Sequence, residues 1–103
     1  MTRQELISLR DNFLEAERLD EKAKKTIIDY KNDINKLIDF LPEEFEIDKT
    51  RIIDFKEHLN VITSKVKSKN KYIVVVNKFL KFIGYSDCTV KKFKEQQKSS
   101  IDD

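Results

Sequence analysis

Outside its lysines, this chain offers few groups that could do chemistry. His58 is the only histidine and Cys88 the only cysteine. One of each cannot build a multi-histidine metal site, and the two leave at most a mixed carboxylate site with no ligand spacing behind it. His58 precedes the apolar Leu59 and reads as a partly exposed helix histidine. Gly84 is the only glycine, so no glycine-rich loop exists to cradle a phosphate. The carboxylates interleave with lysines at helical spacing, the pattern of solvated helix faces. The expectation is a chain that is not by itself an enzyme and needs no metal or cofactor.

The lysines are distributed unevenly. From Met1 to Thr63 there are 11 Lys and Arg against 15 Asp and Glu, whereas Ser64–Lys98 holds 10 lysines against Asp87 and Glu95 alone. A field that positive over a third of the chain points to an anionic partner, with nucleic acid first. A solvated lysine-rich helix is the plainer alternative. Lys71, Lys78 and Lys81 fall away from an apolar stripe, with Lys65, Lys67 and Lys69 at or before its start. Lysines one or two turns apart can each reach a phosphate, and a helix start adds its dipole and free N–H groups. Ser68 and Asn70 can hydrogen-bond phosphates or base edges. Val74, Val75 and Phe82 also fall toward this side and are expected to pack under neighbours, narrowing the basic face to its N-terminal half. A second cluster, Lys22, Lys24, Lys25 and Lys31 with Thr26, is diluted by Glu21, Asp29 and Asp33. Tyr30 beside it reads as a core-edge residue with its hydroxyl at the surface.

Helices must position these groups. Thr2 with Glu5 forms a capping-box pattern for a first helix over about Thr2–Glu17, carried by Leu6, Leu9, Phe13 and Leu14. Asp20 is the expected cap of a second helix, whose face is Ile27, Tyr30, Ile34, Leu37, Ile38 and Leu41 and which Pro42 ends. Asp48 caps a third helix through Ile52, Phe55 and Leu59, with Asn60 as its stop. After a Val61–Lys67 connection, Ser68 is the expected cap of a fourth helix, which runs through Tyr72, Ile73, Val76, Phe79, Leu80 and Ile83 to Gly84. The apolar run Tyr72–Val76 would also suit a buried strand, but its helical continuation decides for helix. Tyr85–Lys98 adds at most a short extended stretch or last turn. The fold class is all-α: a compact bundle of four or five helices over residues 1–98, then a tail over 99–103.

Composition sets the outer limits. A chain of 103 residues makes one domain. One Gly and one Pro are too few for the tight turns of an all-β sandwich. Charged residues reach 39%, but ten aromatics argue against disorder. No apolar run exceeds five residues, so no membrane partner is expected. A single cysteine fits a reducing, cytoplasmic setting.

Three segments together resemble one family. Thr26-Ile-Ile-Asp-Tyr30-Lys-Asn-Asp33-Ile34-Asn-Lys-Leu37-Ile-Asp-Phe40-Leu41 is similar to the T-x-x-x-Y-x-x-D-L-x-x-F-x-x-F-L helix of tyrosine recombinases and phage-type integrases. Ile47-Asp48 to Leu59 resembles their next helix. Asn70-Lys-Tyr72 to Asn77-Lys-Phe79-Leu80-Lys-Phe82 resembles their N-R-x-x-x-x-x-N-x-F-x-x-F helix, with Ser68 where Thr is usual and Lys69 where an apolar residue is common. Val90-Lys-Lys-Phe93-Lys looks like the lysine-rich connector to a catalytic domain.

The resemblance implies a SAM-like core-binding domain that lies on one face of a recombination site in double-stranded DNA. A catalytic domain of the same parent chain would close from the other side, with other recombinase protomers on the same DNA. It also implies a bacterial or phage-encoded protein. The catalytic Arg, His-x-x-Arg and Tyr of that partner domain are not here, so the chain looks like an excised piece ending at a cut. The DNA-facing positions implied are Lys24, Lys25, Thr26, Lys31, Lys69, Asn70, Lys71 and Lys78. The rival reading is a small helical protein–protein interaction module, which apolar exposure at helix one would favour. A helix-turn-helix repressor is disfavoured by the seven-residue Val61–Lys67 connection.

Overall fold

The computed structural model describes residues 1–94. Within them the chain is all-α. Helices α1 (Arg3–Leu19), α2 (Lys24–Phe40), α3 (Lys49–Ile62) and α4 (Val66–Phe82) are followed by a single 3-10 turn at Ser86–Cys88. The expected domain end at Lys98 and the tail over 99–103 lie outside the described residues.

Two helix starts match their sequence signals. The Thr2 side chain accepts from the Glu5 N–H at 3.2 Å, and the Thr2 N–H donates back to Glu5 Oε1 at 2.7 Å, which completes the capping box. Asp48 accepts from the Arg51 N–H at 2.8 Å. The other two starts differ. Asp20 closes α1 instead of opening α2, because its N–H still bonds Ala16 O at 3.1 Å. The turn that follows places Glu21 at φ 64°, and α2 begins at Lys24 with no side-chain cap. Ser68 is likewise no cap. Helix α3 runs past Asn60 to Ile62, and α4 starts at Val66, which puts Ser68 inside its first turn.

The α3–α4 connection is therefore only Thr63–Lys65, tightened by the Lys65 N–H bonding Thr63 Oγ1 at 3.2 Å. A connection this short is within the range of a helix-turn-helix, so its length does not separate the two architectures.

Paired side chains give the packing directions. Arg10 donates to Asn35 Oδ1 at 2.6 Å and Phe13 stacks on Tyr30 at 6.1 Å, so α1 and α2 form an antiparallel hairpin. The Arg3 guanidinium donates to Leu41 O and Asp39 O and so satisfies carbonyls at the end of α2 that the helix leaves unpaired. Lys71 faces Asp33 while Lys78 faces Tyr30, so α2 and α4 are also antiparallel. Helix α4 is central, packing on all three other helices and on the 3-10 turn. Ile73, Val76, Phe79 and Leu80 carry it into the core, where Phe79 is fully buried and meets the Phe13 ring edge-on at 5.6 Å.

Helix α4 ends where Gly84 takes φ 93°, a conformation that side chains resist. There Tyr85 N–H bonds Leu80 O at 2.8 Å and Gly84 N–H bonds Lys81 O at 3.3 Å, the paired bonds of a Schellman stop. The reversal sends the chain back along α4.

Candidate nucleic-acid interface

At about 100° per residue, Lys67, Lys71, Val74, Lys78 and Lys81 lie on one stripe of α4 roughly 20 Å long. The stripe faces solvent, Lys67, Lys71, Val74 and Lys81 being exposed and Lys78 half-buried. Val74 and Phe82 lie on it exposed, at 50% and 47%, instead of packing under neighbours; only Val75 is buried. The basic face is thus not confined to the N-terminal half of α4. Phe82 meets the ring of Phe13 edge-on, at 5.4 Å.

Two of these lysines stand over buried acids. Lys71 Nζ is 3.6 Å from Asp33 Oδ2, and Lys78 Nζ is 3.0 Å from Glu17 Oε1. Burial pushes the Asp33 carboxyl above its ordinary value, and the Lys71 charge pulls it back in part. The Glu17 carboxylate holds the Lys78 ammonium above its usual value, and the Tyr30 ring lies 5.4 Å from the same ammonium. These pairs fix both lysines in place and offset part of their field. Among the described residues, Lys67 and Lys81 have no ion-pair partner, and they carry the less compensated charge.

Lys69 and Asn70 do not face outward. Lys69 is 8% exposed, its ammonium donating to Asn60 Oδ1 at 2.7 Å and lying 4.6 Å from the Phe93 ring centroid. Asn70 is 9% exposed, and its amide bonds both the N–H and the C=O of Phe93, at 2.7 and 3.1 Å. Asn77 does the same for Val90, at 3.0 and 2.8 Å. Residues 89–94 thus form an extended strap antiparallel to α4, pinned at two points. Lys49 ties its start by donating to Thr89 O, and Lys56 lies 4.8 Å from Phe93. The strap fills the groove between α3 and α4. Asn77 is a working residue outside the eight implied DNA-facing positions; the sequence marked it only as the second asparagine of the helix motif, seven positions after Asn70, and not as an anchor.

The α2 cluster lies elsewhere. Lys24, Lys25 and Lys31 are exposed, Lys25 pairing with Asp29 at 3.6 Å, and Thr26 is half-buried. Lys24 and Lys31 share a helix face about 180° from Asp33, the residue that meets α4. Because α2 and α4 are antiparallel, their starts also sit at opposite ends of the pair. The eight positions therefore do not form one surface: Lys71 and Lys78 belong to the α4 stripe, Lys69 and Asn70 to the strap anchorage, Lys24 and Lys31 to a separate α2 face, Lys25 to its ion pair with Asp29, and Thr26 to the half-buried start of α2.

His58 is half-buried with its ring 5.0 Å from Phe40, and Cys88 is buried, which pushes its thiol up. No group of three metal-ligating side chains occurs among the described residues. No family model, curated protein or solved structure matches the chain. Among the described residues, no helix is long and apolar enough to cross a membrane.

Proposed function

We propose that the chain binds duplex DNA, as the core-binding domain of a tyrosine recombinase or phage-type integrase. In this reading its bundle is SAM-like and holds a recombination site for a catalytic domain of the same parent chain. The domain acts without a metal, a cofactor or a catalytic group of its own. The observation that carries the reading is the solvent-facing α4 stripe of exposed Lys67, Lys71 and Lys81 with half-buried Lys78. Such a row meets phosphates, which position a protein on DNA without reading its sequence. The sequence resemblance supplies the recombinase context. Anisotropy of a labelled duplex at two salt concentrations tests it. With about three to five phosphate contacts, log K falls against log salt with a slope of about −3 to −4.5. Changing Lys67 and Lys81, the two stripe lysines without an ion-pair partner among the described residues, together to Glu weakens binding about tenfold or more while the fold is kept. Binding that this change leaves undiminished, or that ignores salt, refutes the reading.

One observation favours a protein-interaction module instead. Leu19 and Ile28 are 69% and 58% exposed at the α1–α2 end, where Ile27 and Ile28 line a cleft with Arg18, Lys22 and Lys24. Absence of DNA binding, with concentration-dependent association lost in Leu19→Ser, supports that module.

A further inference from the structure

The strap has a geometry that its anchors explain. Asn70 and Asn77 are seven helical residues apart, about 10 Å along α4. The residues they hold, Val90 and Phe93, are three apart. An extended chain with about three residues per turn and ~3.1 Å rise returns every third residue to the same side after about 9 Å. The two repeats match, so one asparagine pair can hold one such turn of strap at both ends. Of the residues between and beyond, Lys91 and Lys94 then share one side, where Lys91 lines a cleft with Ile53, Lys56 and Glu57 of α3, and Lys92 takes the other; all three lysines are exposed.

The anchors also fix where these lysines lie. Asn70 and Asn77 sit about 60–80° around α4 from the centre of the lysine stripe. The strap therefore runs directly beside the stripe and heads toward Lys67 and the α4 start.

We infer that Lys91, Lys92 and Lys94 form a second row of phosphate-binding lysines parallel to the α4 stripe, and that Asn70 and Asn77 are positioning residues which hold this row in place. The inference rests on the DNA reading above and names a further part of its surface. The asparagines spend their amides on the strap backbone and touch no nucleic acid. Their contribution to binding is pre-organisation: three charges on a fixed path instead of on a loose chain.

The test uses the whole chain and a labelled duplex of about 20 base pairs, titrated at two salt concentrations. The triple change of Lys91, Lys92 and Lys94 to Gln leaves both anchors intact and lowers the magnitude of the salt slope by about 0.9 for each of these lysines that meets a phosphate, in all about 1–2 of the parent's ~3–4.5. Asn77→Ala keeps every lysine, speeds amide exchange at Val90, and weakens binding about three- to tenfold. Two results overturn the inference while leaving the DNA reading standing: a lysine triple that binds like the parent, or Asn77→Ala with a freed Val90 amide and unchanged affinity. A parent chain that binds no duplex at either salt concentration overturns both.

Discussion

Lys69→Glu separates a lysine that contacts DNA from one that holds the fold. The Lys69 side chain is 8% exposed and meets two partners, Asn60 Oδ1 at 2.7 Å and the face of Phe93 at 4.6 Å. A hydrogen bond from a charged donor contributes about 1.5–3 kcal/mol. An ammonium over a partly exposed ring adds about 0.5–1 kcal/mol. A carboxylate in the same place loses both and presents its charge to a carbonyl oxygen and to the negative face of the ring. The expected loss is about 2–4 kcal/mol, a large share of the ~5–15 kcal/mol that holds a domain together. Lys67→Glu, two residues earlier and exposed, changes stability by about 0.5 kcal/mol or less. Urea unfolding followed by circular dichroism measures both, with equal slopes checking that the same surface unfolds. DNA titration far below the unfolding midpoint then compares the folded proteins. The expected pattern is that Lys69→Glu costs stability and Lys67→Glu costs affinity. If Lys69→Glu leaves stability unchanged and removes DNA binding, the inward assignment of Lys69 is wrong.

Phe79→Ala removes a fully buried ring in edge contact with Phe13 and is expected to cost about 3–5 kcal/mol; an unchanged melting temperature refutes the central placement of α4. Burial raises the Asp33 carboxyl in the folded state, so the native protein holds that proton more tightly than the unfolded chain does. Its stabilising contribution is full below the unfolded value, near pH 4, and is lost as pH rises through the folded value. Wild type should therefore gain stability relative to Asp33→Asn between about pH 7 and pH 4. Paired urea melts measure this, and a relative loss over that interval would mean that the Lys71 attraction outweighs burial.

What the sequence revealed depended on how local the physics was. The caps at Thr2 and Asp48 and the stop before Pro42 involve residues a few positions apart, and their types state the outcome. Ser68 failed as a cap because α3 and α4 meet across a turn of three residues, and where that turn falls is set by the Leu59 carbonyl and the Thr63 hydroxyl. The apolar faces of all four helices were legible from periodicity. Lys69 and Asn70 were not, because polar type predicts exposure and what buries them is a segment more than 20 positions away. Val74 erred in the opposite direction: its apolar type suggested packing, yet it lies among lysines on the open stripe. The α2 lysines were found as exposed residues, but which face they share depends on the antiparallel packing of α2 on α4, and no local pattern encodes that.

The two asparagine anchors recognise only main-chain atoms, and this sets what kinds of change the strap tolerates. Positions 91 and 92 can vary in side chain without disturbing either anchor. Their number cannot vary. A residue inserted between Val90 and Phe93 lengthens the span by about 3 Å, more than a hydrogen bond can stretch, and a deletion leaves it equally short. The strap is thus permissive in spelling and strict in length. Whatever its lysines contact, a one-residue insertion or deletion in the strap is more damaging than any single substitution at positions 91 or 92.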